Sequence, residues 1–336
     1  MNLLFSGYHN PHYPTITEYI ERAISFCGHK LYTFDDRCHI IPGRIRKKIQ
    51  FLEHFDNKII NFRFVNKMVK LMPAIIIVSG GHRISSESIL KARTLNIKTC
   101  LWTIDAPINF KPIINNAKYY DFIYCQGTEA IKILQQNKIT NAKWLPMACD
   151  PQIHKPVFLN EEEKKKYSFD IAFVGSYYKN RQELFESLTE YNFGIWGPGW
   201  HVVSKDSPLK KCIKGYAIKP EIYNKIYSSS KIVIVCHYQN KEILCYQASP
   251  KVFEAMACKA FVLVDNQLDV FRIFKDNFHC VKFENVNQLI EKINYYLKHE
   301  DERRQIAENA YEEVINNHTY VHRIKKLFND ILENIT

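Results

Sequence analysis

Glycine and proline are both scarce in this chain, at 11 and 13 of 336 residues. That argues against long disordered or collagen-like stretches. No apolar run approaches the ~20 residues that a membrane-spanning helix needs; AIIIV at 74–78 is among the longest. The opening MNLLFSGYHNPHY has no basic segment followed by an apolar core, so it does not read as a signal peptide. Ten cysteines are present, yet none falls in a C-x-x-C pair and no histidine cluster has zinc-ligand spacing. Several lie inside apolar runs, as Cys236 does in IVIVCHY. Free cysteine of this kind behaves as a small buried hydrophobe, and a reducing cytoplasm is the simplest compartment. No D-x-D pair is available to hold a metal-bound substrate; Asp35-Asp36 stands in a basic loop with no partner carboxylate in reach by sequence. Nucleic-acid motifs and internal repeats are likewise missing, so neither nucleic acid nor an integral-membrane role is expected.

What is present is an ordinary globular balance, 46% hydrophobic and 24% charged. At roughly 100–200 residues per domain, the length suggests two domains, each able to bury its own core. The net charge of +11 is lopsided: residues 1–155 hold 21 Lys+Arg against 11 Asp+Glu. A basic face there would attract an anionic acceptor, an acidic partner protein, nucleic acid or an anionic membrane surface, or would serve solubility alone.

Short β-rich runs alternate with amphipathic stretches. Strands are expected at 2–5, 30–34, 74–78, 98–103, 122–125 and 143–145, with helices near 15–27, 86–95 and 128–136. The mixture of Arg/Lys and Phe/Ile at 35–73 suggests helices with one polar face. Residues 150–168, with two prolines and then EEEKKK, read as a linker. The pattern then restarts, with strands at 169–174, 192–196, 231–236 and 260–264 and a long final helix from 321. Such alternation predicts parallel sheets covered on both faces. The expected division is 1–155, 156–320, and a terminal helix at 321–336 packing back toward the cleft or the first domain. Two such lobes would face each other across a cleft, since ligands sit beyond the carboxyl ends of the strands in open α/β sheets.

The strongest chemical signal is SPKVFEAMACKAFVLVD at 249–265. Ser249 caps a helix that starts with Pro250, and Lys251 lies in its first turn. Backbone N–H groups, the positive helix end and a lysine together make an anion site. Glu254, one turn on, is placed to accept hydrogen bonds from ribose hydroxyls. In the first half, His9 and His82 follow strands and Asp105 ends another; each is a candidate general base for an acceptor hydroxyl.

The 249–265 segment resembles the S-x-R-x-F-E-A-x-A-C-G block of the CgeB-like (spore-maturation) glycosyltransferases, a GT-B group. FVGSYYKNRQELFESL, IWGPGW at 195–200, KGYAIKPEIYNKIYSSSKIVI at 214–234 and HTYVHR at 318–323 follow in the family's order. The resemblance covers about residues 169–335. The first half resembles the family only loosely, best at LWTIDAP, 101–107. It implies an α/β chain of the GT-B type, with two Rossmann-like β/α/β domains facing an interdomain cleft. The implied activity is metal-independent transfer of a hexose from a UDP- or TDP-sugar to an acceptor that is a protein, a glycan or a small molecule, with no cofactor. Homodimerisation is left open. A non-catalytic nucleotide-sugar-binding protein and a sugar-nucleotide epimerase are the alternatives.

Residue by residue, the resemblance implies that Gly175 and Ser176 let backbone approach the phosphates, and that Arg181 pairs with a phosphate or orients that loop. Gly197, Pro198, Gly199 and Trp200 would line the base pocket, and Tyr216 and Ala217 would hold the base through backbone contacts. Ser249, Lys251, Val252 and Phe253 would present the diphosphate site, with Glu254 on the ribose. Two positions depart from the family. Lys251 stands where Arg is usual, which keeps the charge but loses the bidentate fork. Lys259 stands where Gly is usual. The paired glutamates of many retaining GT-B enzymes are also missing, for Tyr246 lies eight residues before Glu254.

Overall fold

The computed structural model describes residues 1–46, 48–104, 110–216, 219–239 and 245–333. The chain divides into two units: unit 1 holds Met1–Pro146 with Arg323–Thr336, and unit 2 holds Met147–His322.

In unit 1 the order is β1 (Asn2–Gly7), α1 (Ile16–Phe26), β2 (Lys30–Asp35), α2 (Gly43–Arg46), α3 (Gln50–Leu71), β3 (Ile75–Ser79), α4 (Ser86–Thr94), β4 (Lys98–Thr103), α5 (Phe110–Ala117), β5 (Phe122–Cys125), α6 (Thr128–Gln136) and β6 (Ala142–Trp144). The strands form one parallel sheet, β2-β1-β3-β4-β5-β6. Every residue of β3 is buried, as expected for a strand covered on both faces. Strand order reverses at β1, between β2 and β3, so the ends of β1 and β3 flank a topological switch point where such sheets bind ligands. The start of α1 is set locally, by a Thr15–Glu18 capping box.

The expectation of one polar face fails for α3. Its inner face buries Ile60, Phe64 and Met68, and Asp56 is buried against Arg46 at 3.1 Å and His39 at 2.7 Å. The opposite face carries phenylalanines as well as lysines.

Unit 2 runs α7 (Glu161–Tyr167), β7 (Ile171–Val174), α8 (Lys179–Phe185), β8 (Phe193–Trp196), β9 (Ile213–Gly215), α9 (Pro220–Ser229), β10 (Ile232–Val235), α10 (Pro250–Ala257), β11 (Val262–Asp265), α11 (Leu268–Ile273), β12 (Val281–Phe283), α12 (Val286–Lys298) and α13 (Glu300–Asn317). A last helix, α14 (Tyr320–Glu333), starts in unit 2, and its residues from Arg323 on belong to unit 1. The sheet order is β12-β11-β10-β7-β8-β9, parallel throughout among the described residues, with its switch point between β7 and β10. The core beneath it gathers Phe173, Phe185, Phe193 and Trp200 from one side of the sheet.

The division falls at Pro146/Met147 rather than at 155/156. Residues ahead of the expected boundary pack into unit 2: His154 is fully buried, its Nδ1 accepts the Asp150 N–H at 3.0 Å, and Asn224 donates to the Ile153 carbonyl at 2.6 Å. Part of the expected linker is helical. EEEKKKY forms α7, with an Asn160–Glu163 capping box and acidic-then-basic charges that match the helix dipole. The terminal segment from Arg323 falls with unit 1, where Arg323 donates to the Pro146 carbonyl at 3.0 Å and Lys143 pairs with Asp330 at 3.3 Å.

Lys259 has a local explanation. It follows the C-cap of α10 with φ +58°, the left-handed position where glycine is favoured. Its N–H bonds to the Met256 carbonyl and that of Ala260 to the Ala255 carbonyl, which makes a Schellman motif. The ammonium lies 2.7 and 2.8 Å from the two Glu308 oxygens and 4.6 Å from the Tyr311 ring centre, both on α13. Glycine there would relieve the left-handed strain, about 1 kcal/mol, and lose an exposed ion pair of about the same or smaller worth. Urea unfolding should therefore find Lys259→Gly within about 1 kcal/mol of the parent, and Lys259→Ala about 1 kcal/mol less stable than Lys259→Gly, because alanine loses the pair and keeps the strain.

Candidate functional site

At the unit 2 switch point, the loops after β7 and β8 are locked together through their backbones. Gly175 N–H donates to the Trp196 carbonyl, Tyr177 N–H to that of Pro198, and Gly197 N–H to that of Gly215, at 2.8, 2.8 and 2.9 Å. Gly197 has φ +140°, and a Cβ added there would fall 2.1 Å from the Gly175 carbonyl oxygen, so only glycine fits. Trp200 is buried in the core and its indole N–H donates to the Gly175 carbonyl at 2.8 Å. It therefore pins the loop from beneath instead of lining a base pocket. Gly199, with φ +87°, passes close to Tyr177. Tyr216 is exposed, and Ala217 lies outside the described residues.

Arg181 reaches from α8 back under the β7 loop. Its guanidinium donates to the Ser176 carbonyl at 2.7 Å and to the Cys236 carbonyl at 2.9 Å through Nε, over the faces of Phe173 and Tyr178. It is almost fully buried, and burial pulls its pKa down. Of the two roles its motif implied, loop orientation matches these contacts. Its hydrogen bonds among the described residues go to neutral carbonyls, and its charge acts on Lys251 as well.

His237, just past β10, is a residue that motif reading did not single out. Its ring Nδ1 lies 2.5 Å from Asp265 Oδ1 at the end of β11, its backbone N–H donates to Asp265 Oδ2 at 2.8 Å, and its Nε2 accepts the Ser249 N–H at 2.9 Å. A backbone N–H can only donate, so Nε2 is bare and the ring proton sits on Nδ1. The neutral imidazole thus clamps the start of α10 onto two strand ends. The available signal was a histidine and an aspartate each closing a strand, in VCHY and LVD.

This clamp alters the expectation for the helix start. The Ser249 N–H is taken by His237, Pro250 has none, the Lys251 N–H faces Ser249 Oγ at 3.4 Å, and the Val252 N–H bonds to the Ser249 carbonyl. Val252 and Phe253 are fully buried side chains. What α10 offers an anion is chiefly the Lys251 ammonium. Among the described residues it has no hydrogen-bond or ion-pair partner. Burial lowers its pKa, the Glu254 carboxylate opposes that, and the Arg181 charge adds to it. Glu254, one turn on, is nearly buried, with buried His154 Nε2 at 3.8 Å as its nearest ionic contact. His154 is held neutral by burial, its Nδ1 accepting from Asp150 and its Nε2–H directed at the Tyr223 hydroxyl, 3.0 Å away. The Glu254 oxygens keep their acceptor capacity.

Unit 1 has its own cavity, about 220 Å³, at the ends of β1 and β3. Tyr8, Thr17, Asp36, Arg37, Ser79 and His82 line it. The left-handed glycines Gly80 and Gly81 turn the chain so that His82 faces it. His9 is elsewhere: its Nε2 pairs with Glu21 at 2.7 Å, and that hydrogen bond raises its pKa. Asp105 lies outside the described residues. Asp36, passed over in sequence as a loop residue, is 4% exposed and its carboxylate has no hydrogen-bond partner among the described residues. Burial pushes its pKa up to about 6, against the opposing charges of Arg37, His82 and Arg83. Its neighbour Asp35 is an ordinary turn former that accepts the Arg37 and His9 N–H groups.

Residues 180–329 match the protein-family model described as "Glycosyl transferase-like". The chain is 21% identical over 262 residues to Spore protein CgeB of Bacillus subtilis (strain 168), covering 74% of this chain and 80% of that protein. Sucrose-phosphate synthase from Thermosynechococcus elongatus superposes with a TM-score of 0.70 at 12% identity, over 99% of each chain. Anabaena HepE in complex with UDP-glucose gives 0.67 at 10% identity, over 99% of this chain and 100% of that one.

A raised carboxylate pKa means that the folded state prefers the protonated form. The destabilisation is absent below pH 4, grows through pH 4–6, and is complete above. Asp36→Asn should accordingly be more stable than the parent at pH 7, by up to about 3 kcal/mol relative to their difference at pH 4, in paired urea titrations. Residues 180–329 thus match a glycosyl transferase-like family model, the fold is GT-B with two Rossmann-like units, and the chain resembles the CgeB-like glycosyltransferases.

Proposed function

We propose that this protein is a metal-independent glycosyltransferase that takes a hexose from a UDP- or TDP-sugar bound in unit 2 and passes it to a hydroxylated acceptor held by unit 1. The observation that carries this reading is the unpartnered Lys251 ammonium at the start of α10, beside the buried Arg181 charge and one turn before Glu254. When the bond from the anomeric carbon to the phosphate oxygen breaks, negative charge grows on the departing diphosphate. A fixed ammonium in a partly desolvated site stabilises that charge without a metal. Glu254, with acceptor capacity unspent, suits the two ribose hydroxyls. The UDP and UDP-glucose complexes of HepE support the donor class.

In unit 1 the acceptor hydroxyl must shed a proton as it attacks. Asp36 and His82 line the same cavity there, and an unpartnered carboxylate is a strong acceptor for a hydroxyl hydrogen. Ten unbridged cysteines fit a reducing, cytoplasmic setting. A Lys259 side chain reaching into the pocket would favour a non-catalytic binding protein, but it pairs instead with Glu308 on α13.

Calorimetric titration with UDP and TDP tests the donor site. Lys251→Ala should weaken binding at least about tenfold, the order of one lost charge-assisted contact, with the fold intact. Glu254→Ala should also bind less tightly, while Lys259→Gly binds like the parent. Equal affinity in all four proteins would remove Lys251 from the site. Product analysis with a labelled sugar nucleotide separates transfer from epimerisation.

A further inference from the structure

Helix α3 spans 22 residues and has two apolar faces where a surface helix normally has one. The inner face is accounted for by Ile60, Phe64 and Met68. On the outside, Phe51, Phe55, Phe62 and Val69 are 72%, 49%, 66% and 45% exposed. Their spacing of four, seven and seven residues puts them in a single stripe along the helix. Ile40, Ile45 and Ile49, in the segment leading into α3, are also exposed. Single exposed apolar residues are ordinary, but several large ones aligned on one helix face mark an interaction surface.

The charge around this stripe identifies what covers it. Residues 40–72 contain eight Lys+Arg against two Asp+Glu. Of the two acids, Asp56 is buried and neutralised by Arg46 and His39, so it does not oppose an approaching anion. Lys58 stands within the phenylalanine stripe and Lys70 beside its C-terminal end, both exposed. Exposed aromatic residues bordered by lysines are a composition suited to a helix that lies in a lipid interface. The rings enter the boundary between headgroups and acyl chains while the ammonium groups meet anionic headgroups. A purely apolar protein groove would have to desolvate those lysines without compensation. No helix among the described residues is long and apolar enough to cross a membrane, so contact of this kind is peripheral.

We propose that the outer face of α3, with the Ile40–Ile49 segment before it, docks unit 1 onto an anionic lipid bilayer. The two ingredients act together, because a few phenylalanines or a few lysines alone give only weak, reversible attachment. This surface is independent of the donor site, and its existence does not require the glycosyltransferase reading.

Flotation of the full chain with lipid vesicles tests it, using phosphatidylcholine alone and phosphatidylcholine with about 30% phosphatidylglycerol. The parent protein should float with the anionic vesicles at least about tenfold more tightly than with the neutral ones, and lose most of that binding at ~0.5 M salt. A Phe51→Ser/Phe55→Ser/Phe62→Ser variant should lose at least about tenfold in vesicle affinity, since each ring contributes buried apolar area. Lys58→Glu/Lys70→Glu should abolish the preference for anionic lipid. Unchanged circular dichroism and UDP titration in both variants would exclude misfolding. Failure of the parent to float with anionic vesicles, or flotation of the triple serine variant as tight as the parent's, overturns the proposal. Capture by an acidic protein with no vesicle binding overturns it too. Loss of UDP binding in the parent would instead strike the functional reading and leave the vesicle result standing.

Discussion

One neutral imidazole holds the unit 2 site in register. His237 bridges the end of β11, through Asp265, to the first N–H of α10, at Ser249. The position of Lys251 and Glu254 relative to the sheet follows from that bridge, since both ride on α10. The Ser249–Pro250 cap sets where the helix begins but not where it points, and the bridge acts with the buried Val252 and Phe253 to orient it. Asp265 also accepts the His237 backbone N–H, so the clamp has both ends of the carboxylate engaged.

The same economy governs the loops around it. Arg181 spends its donors on the Ser176 and Cys236 carbonyls, which ties the β7 loop to the end of β10 across the switch point. Trp200 does the equivalent from the core, and Gly197 permits the contact because any Cβ would strike the Gly175 carbonyl. The result is a floor of satisfied backbone groups beside a lysine ammonium, Lys251, that has no partner among the described residues. Preorganisation of this kind lets a charge act on a developing anion without the cost of reorganising.

Unit 1 has the complementary character. Its cavity contains an unpaired acid, Asp36, and its outer surface contains unburied aromatics on α3. Both are features that folding alone does not reward. A buried carboxylate without a partner costs stability, and exposed phenylalanines give none. Each is therefore better explained by what it meets outside the chain than by the fold.

Much of the architecture was legible because it is written locally. The β-branched runs, the Ser249 cap and the restart of the β/α pattern after residue 168 depend on neighbours a few residues apart, and the motif from 249 to 265 pointed to α10. Short elements such as β9 and β12, three residues each, carry too little pattern to be seen, and EEEKKK looked like linker because charge obscured its capping box. Tertiary structure alone decided the rest. The Ser249 N–H is claimed by a histidine 12 residues away, Arg181 by a carbonyl 55 residues away, and Asp36 is buried in a cavity whose other walls come from distant segments, among them Thr17 and Ser79. Residue type sets what a group can do, but desolvation and partner choice arise only when distant segments meet, and those two quantities fix its charge, its pKa and its role.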